Sequence, residues 1–230
     1  METNRNTDEE QTGYELEEIL PEETLHVPPG TNILIAGPPM SGKRELALSI
    51  LAQGATNGEG NVIVSTDRGA DTITKDFTKL VPNLDRKSLG IVESRESGGS
   101  AKDEFVHSVA SPGDLTGIGI GISQFMQRFS QNGITRTRLA LDSVSTLLSY
   151  VEVRTVFKFC HVLTARLEAV GYLGVFTLDT GAHDAQAINT IKQVFDGMIE
   201  LRESDTGIEM RVVGLGGKRT KWAAYEPNHS

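Results

Sequence analysis

Apolar and polar residues follow two periods along this chain, and the switches between them set out its elements. Residues 31–36 (TNILIA) form a short apolar run of strand character, entered through the turn sequence Pro28-Pro29-Gly30. Residues 45–52 (ELALSILA) place apolar side chains at helical spacing among strong helix formers. Residues 61–66 (NVIVST) predict a strand, 70–80 a helix and 88–92 a further strand. Residues 139–142 (LALD) predict another strand after the basic Arg136-Thr137-Arg138. The longest helical run is 151–170, and the strongly apolar 172–178 (YLGVFTL) reads as a strand after it. Residues 185–195 predict a helix. The C-terminal part changes character: 197–202, 208–214 and 221–225 predict short strands joined by Gly, Ser and Asp turns.

This order predicts an α/β fold. A mainly parallel sheet carries helices on both faces and is extended by antiparallel C-terminal strands. A ligand site is then expected at the carboxyl ends of the parallel strands. Two stretches fall outside the alternation. Residues 93–102 (ESRESGGSAK) read as a loop. Ser111-Pro112-Gly113-Asp114 reads as a helix start, with a hydroxyl cap, an early proline and an acid three residues on. The helix that follows carries Gly117, Gly119 and Gly121. They lack the full G-x-G-x-x-G spacing and no strand precedes them, so close packing of a glycine-bearing helix is the stronger reading.

Charge changes the picture at one end only. The chain has 230 residues and a net charge of −9. Nine acidic and one basic side chains lie in residues 1–23, leaving 22 acidic and 21 basic for the rest. Residues 1–23 are therefore expected to be an acidic, disordered tail, and 24–227 a near-neutral folded domain. The bland reading of the tail is a solubilising one; the alternative is that residues 14–20 form a short amphipathic segment docking on a partner. No run approaches a membrane span and the N-terminus resembles no signal peptide, so a cytoplasmic location is the default. The single cysteine, Cys160, excludes an intrachain disulfide and sits in a helical run as a core thiol. The five histidines are scattered and form no metal-ligand cluster.

Candidate chemistry is concentrated in residues 37–44, GPPMSGKR. Gly37, Gly42 and Lys43 match G-x-x-x-x-G-K-[ST], between an apolar strand and a helix. The glycines open backbone conformations that point successive N–H groups at phosphate oxygens, and the helix start and Lys43 add positive charge. Gly37, Pro38, Pro39, Met40, Ser41, Gly42, Lys43 and Arg44 are the candidate nucleotide-binding residues. The hydroxyl that should follow the lysine and ligate Mg²⁺ is replaced by Arg44. Asp142, ending the strand at 139–142, is the candidate to hold the metal's water shell.

These motifs resemble the RecA superfamily, and within it the KaiC-like ATPases of archaea, which include RadA-type recombinase paralogues. The resemblance covers about residues 20–227. It rests on VPPGTNILIAGPPMSGK, NVIVSTDR, RTRLALDSVSTLL and FDGMIELRESDTGIEMRVV. It implies a RecA-type core, ATP or ADP as ligand, and homo- or hetero-oligomers of RecA-fold subunits with nucleotide at their interfaces. Against the family pattern, Asp67 and Arg68 stand where two adjacent glutamates prepare the attacking water; Asp67 remains a candidate to orient it. Gly214-Leu215-Gly216-Gly217 replaces a basic K-x-R-G-like pattern, with Lys218 and Arg219 just beyond. Asp179, Thr180 and His183 occupy the region where relatives sense the γ-phosphate or contact DNA; a simple polar loop is an equal reading.

Arg44 has two readings: its guanidinium binds phosphate directly in place of the metal, or it points to solvent. The expected function is an ATP-binding regulatory or scaffold protein with weak or absent hydrolysis. The alternatives are an active ATPase using Asp67 and Asp142, and a DNA-binding recombinase paralogue using Arg136, Arg138, Lys218, Arg219 and Lys221.

Overall fold

The computed structural model describes residues 13–20, 23–94 and 103–227. It opens with an antiparallel hairpin, β1 (Tyr14–Leu20) and β2 (Glu23–Val27), outside the main sheet. Then follow β3 (Asn32–Gly37), α1 (Lys43–Thr56), β4 (Gly60–Ser65), α2 (Ala70–Leu80), β5 (Leu89–Ser94), β6 (Val106–Val109) and α3 (Leu115–Gln131). The second half comprises β7 (Thr137–Asp142), α4 (Val144–Tyr150), α5 (Val153–Ala169), β8 (Leu173–Asp179), α6 (Ala185–Lys192), β9 (Gly197–Ser204), β10 (Gly207–Val213) and β11 (Ala223–Ala224). The nine strands from β3 onward form one sheet in the order β11-β10-β9-β3-β8-β7-β4-β5-β6. From β9 to β6 every pairing is parallel, and β10 and β11 extend the sheet antiparallel. The expected α/β class and its antiparallel extension are what the molecule has.

The central strands are apolar runs because both faces are covered. Ile33 and Ile35 of β3 face the side packed by α1, α2 and the hairpin, whose Tyr14, Leu16, Leu25 and Val27 join the same core. Leu34 and Ala36 face the opposite side, with α3, α4, α5 and α6. The parallel register aligns strand ends: Gly37 pairs with Asp179, and Ser65 with Asp142. The end of the phosphate-loop strand and the acidic ends of its neighbours are thus brought to one rim.

Several expectations shift. Residues 1–12 lie outside those described, but 14–20 form β1, so the boundary expected at residue 23 falls inside the hairpin. Tyr14 and Leu16 are buried in the chain's own core rather than offered to a partner. The Tyr14 hydroxyl donates to the carbonyls of Thr137 (3.2 Å) and Gly171 (2.9 Å). The helical run 151–170 begins at Val153, because Val151 is extended (φ −139°) and separates it from α4. α3 is capped by Asp114, which accepts from Gly117 N at 2.8 Å, not by Ser111. Of the expected loop 93–102, Glu93 and Ser94 end β5 and 95–102 lie outside the described residues.

Arg136 and Arg138, the first candidates for DNA contact, are structural. Arg138 is 1% exposed and donates from Nε to Glu59 Oε2 (2.6 Å) and from Nη1 to the Ile50 carbonyl (2.7 Å). Arg136 donates to Glu59 Oε1 (3.2 Å) and to Gly13 O (3.0 Å), with its guanidinium over the Tyr14 ring. A charge this buried needs such a partner. The network ties the hairpin to the amino ends of the strands, opposite the phosphate-loop rim.

Candidate functional site

Gly37 closes β3, and the chain turns through 38–42 into α1, which Lys43 begins. Gly42 (φ +83°) takes the left-handed backbone that the loop needs, as does Met40 (φ +60°), whose side chain is 98% exposed. A Cβ on Gly37 would stand 2.8 Å from both Ser41 Oγ and Leu201 Cβ, so only glycine fits there. Gly37 O accepts from Thr180 N at 2.8 Å, which fastens the loop to the end of β8. Pro38 and Pro39 have no N–H, so anion donors in this loop come from Met40 through Arg44 at the helix start. The loop has the chemistry of a phosphate cradle.

Lys43 is buried, and its Nζ lies 2.8 Å from Asp179 Oδ1. It also donates to the Pro38 carbonyl and to Ser41 Oγ (3.4 Å). Asp179 is held in turn, its N–H donating to Ser145 Oγ at 2.8 Å. The cation that would meet phosphate is therefore paired with a carboxylate from the neighbouring strand.

Arg44 does not point to solvent: its side chain is 19% exposed and turned into the site. Its Nε donates to Asp142 Oδ2, and its Nη2 to both oxygens of Asp67 at 2.6 Å. The guanidinium lies between carboxylates from the ends of two adjacent strands. Thr177 Oγ1 donates to the remaining oxygen, Asp142 Oδ1, at 2.5 Å. Thr66 secures the backbone beneath, its N and Oγ1 donating to Asp142 O (2.9 and 3.0 Å) while Ser143 N donates to Thr66 Oγ1 (3.0 Å). Burial alone would lower the Arg44 pKa, but the charge of Asp142 and the bonds to Asp67 and Asp142 outweigh it and push it up. Arg44 is a permanent cation here.

This arrangement does not fit Mg²⁺. Both oxygens of Asp142 are engaged, the hydroxyl after Lys43 is absent, and a guanidinium fills the space between the two acids. Among the described residues no group of three or more His, Cys, Asp or Glu side chains is placed to hold a metal. Phosphate fits better, because the loop's backbone donors and Lys43 are present and Arg44 adds a second cation beside them.

Other expected residues fall in different places. Asp67, the candidate to orient water, carries a half-exposed carboxylate bound to Arg44. Arg68 turns outward to Asp76 at 3.4 Å. His183 Nε2 lies 3.1 Å from Ser145 O, a tie between the polar loop after β8 and α4. Lys218 and Arg219 follow β10 near the amino end of β9, with Lys218 O accepting from Gly214 N at 2.9 Å and Arg219 bridging Val213. They do not join this chain's own phosphate loop.

Two contributors went unread. Glu93 is 2% exposed; it accepts from Ala70 N (2.7 Å) and Ser108 Oγ (2.9 Å), fixing the start of α2 and hence the turn that carries Asp67. An acid in an apolar strand was its one signal. Tyr225 donates its hydroxyl to Gly42 O at 3.2 Å from 183 residues away, a contact without local signature.

No curated protein matches the chain. The fold is similar to the crystal structure of a KaiC-like protein from the hyperthermophilic archaeon Pyrococcus horikoshii OT3. The TM-score is 0.58 at 17% identity, over 86% of this chain and 85% of that one. At this identity the likeness establishes a RecA-like fold and nothing finer. Among the described residues no helix is long and apolar enough to cross a membrane. Residues 30–201, which span the phosphate loop, Asp67, Asp142 and Asp179, match the family of unknown function DUF7504, and the chain belongs to that family.

Proposed function

We propose that this protein binds ATP or ADP on residues 37–44 without requiring Mg²⁺, and serves as a regulatory or scaffold subunit with weak or absent hydrolysis. The observation that carries the reading is Arg44, held between Asp67 and Asp142. Its fixed charge stands where a KaiC-like site would offer a metal, and it engages the carboxylate that would orient water.

The chain's own residues supply the binding. Backbone N–H groups of Met40 through Arg44 face the anion at a helix start. Lys43 and Arg44 contribute two full charges, and each is already paired. Phosphate oxygens compete with Asp179 for Lys43 and with Asp67 for Arg44. Asp67 is the looser partner, since an exposed ion pair is worth about 0–1 kcal/mol. Asp142 is the firmer one and keeps the guanidinium in place.

The active-ATPase reading asks Asp67 to serve as base while bound to an arginine. Each missing transition-state contact lowers the rate by ~10²–10³, so joint loss of metal and base leaves little turnover. The DNA-binding reading loses Arg136 and Arg138 to the Glu59 network.

The test is titration of the full chain with a fluorescent ATP analogue, in Mg²⁺ and in EDTA, beside a phosphate-release assay. Equal binding in both buffers with no release is expected. Metal-dependent binding with release at about 1 s⁻¹ or faster would replace this proposal with a working ATPase.

A further inference from the structure

We infer that the C-terminal segment 222–227 is a strap on the phosphate loop, and that nucleotide binding and strap seating reinforce each other. The inference rests on the nucleotide binding proposed above.

Three observations place the strap. Ala223–Ala224 pair with Glu209 and Met210 of β10, and Tyr225 N donates to Ile208 O at 2.8 Å, so the segment is fastened to the sheet edge. The chain then crosses to the loop. A Cβ on Gly42 would stand 2.6 Å from Pro227 Cγ and 3.0 Å from Tyr225 Cε1, so the strap lies directly against the residue before Lys43. Finally, the Tyr225 hydroxyl donates to Gly42 O, the same carbonyl that accepts the first helical bond of α1 from Leu46 N at 2.9 Å. The glycine that shapes the cradle is also the seat of the strap.

Gly42 O keeps the Tyr225 bond only while the loop holds its left-handed turn. Phosphate on the loop's N–H groups favours that same turn. Two events that select one conformation are positively coupled, and the coupling is reciprocal. The strap also carries its own reporter. Trp222, the single tryptophan, has the guanidinium carbons of Arg202 and Arg211 at 4.1 and 4.4 Å from its ring. It lies three residues before Tyr225, and its emission senses any change in that stacking.

The experiment titrates unmodified ATP in EDTA into the full chain, reading heat by calorimetry and Trp222 emission in parallel. The wild type is expected to show an emission change that saturates with the heat. Tyr225→Phe keeps the ring and removes the hydroxyl; it should bind about three- to tenfold more weakly, the worth of one neutral hydrogen bond, with a diminished Trp222 response. Heat with no emission change, or unchanged affinity in Tyr225→Phe, overturns the strap while leaving nucleotide binding intact. Absence of heat overturns both.

Discussion

Arg44 reaches across 98 residues to Asp142, its Nε donating to one carboxylate oxygen while Thr177 donates to the other. Both oxygens of this carboxylate are thus engaged by side chains of the same chain. The site carries its cation in the chain, so its charge does not depend on a metal supply. Replacing Arg44 by threonine restores the motif's hydroxyl and leaves Asp67 and Asp142 without their shared partner. Nucleotide binding should then become metal-dependent, at least about tenfold tighter in Mg²⁺ than in EDTA, or ~1.4 kcal/mol. Stability without metal should fall by about 1–3 kcal/mol, the cost of an unsatisfied, partly buried charge. Calorimetry in the two buffers decides it; a variant as indifferent to EDTA as the wild type would show that Arg44 was not standing in for the metal.

Glu59 is predicted to matter for stability and not for the loop. Its side chain is 6% exposed and is the acidic partner of Arg138 at 1%. Glu59→Gln leaves that guanidinium buried without a counter-charge, which costs about 3–5 kcal/mol. The network lies at the amino ends of the strands, so nucleotide affinity should be unchanged wherever the variant remains folded. Urea denaturation and a nucleotide titration on the same preparation separate the two effects.

The parts legible in the sequence were those with local periodicity. β3, the loop and α1 announce themselves through an apolar run, fixed glycines and helical spacing between Asn32 and Thr56. The direction of Arg44 was not legible, because it depends on β7 standing two strands away and on a parallel register that aligns Asp142 with Ser65. Arg136 and Arg138 looked like a basic surface because the acid that neutralises them is Glu59, 77 and 79 residues earlier. α4 (Val144–Tyr150) went unread because seven residues show barely two helical turns. The helix after it reads as starting two residues early because Val151 continues the apolar pattern while its backbone is extended. β6 has four residues, too few for a period to show.

Stability should decline on the alkaline side. Burial pushes the Cys160 thiol from 9.0 up to about 12, and pushes the Tyr14 phenol from 10.0 to about 12, with the charge of Glu59 adding to it. In both cases the folded pKa exceeds the unfolded one, so the folded state holds its proton more tightly. Their stabilising contribution is complete below the unfolded pKa and is lost as pH rises toward 12. Denaturation midpoints should begin to fall near pH 9, and Cys160→Ala should flatten the first part of that fall. A thiol reagent at neutral pH should label Cys160 only after unfolding; labelling of the native protein at the unfolded rate would contradict its burial.

Two glycines of α3, Gly119 and Gly121, two residues apart, should respond to alanine with opposite signs. A Cβ on Gly119 meets nothing within 4 Å, so Gly119→Ala changes only the backbone's freedom. Mid-helix this favours alanine by about 0.5–1 kcal/mol. A Cβ on Gly121 would stand 2.6 Å from His107 Cδ2, 2.8 Å from His107 Cγ and 3.0 Å from Val92 Cγ2, where α3 approaches β5 and β6. Overpacking of that kind costs roughly 1–3 kcal/mol and exceeds the propensity gain. Urea midpoints should therefore rise for Gly119→Ala and fall for Gly121→Ala. The same sign for both would mean that the sheet yields to the helix, and that the glycine spacing of α3 is not set by its close approach to Val92 and His107.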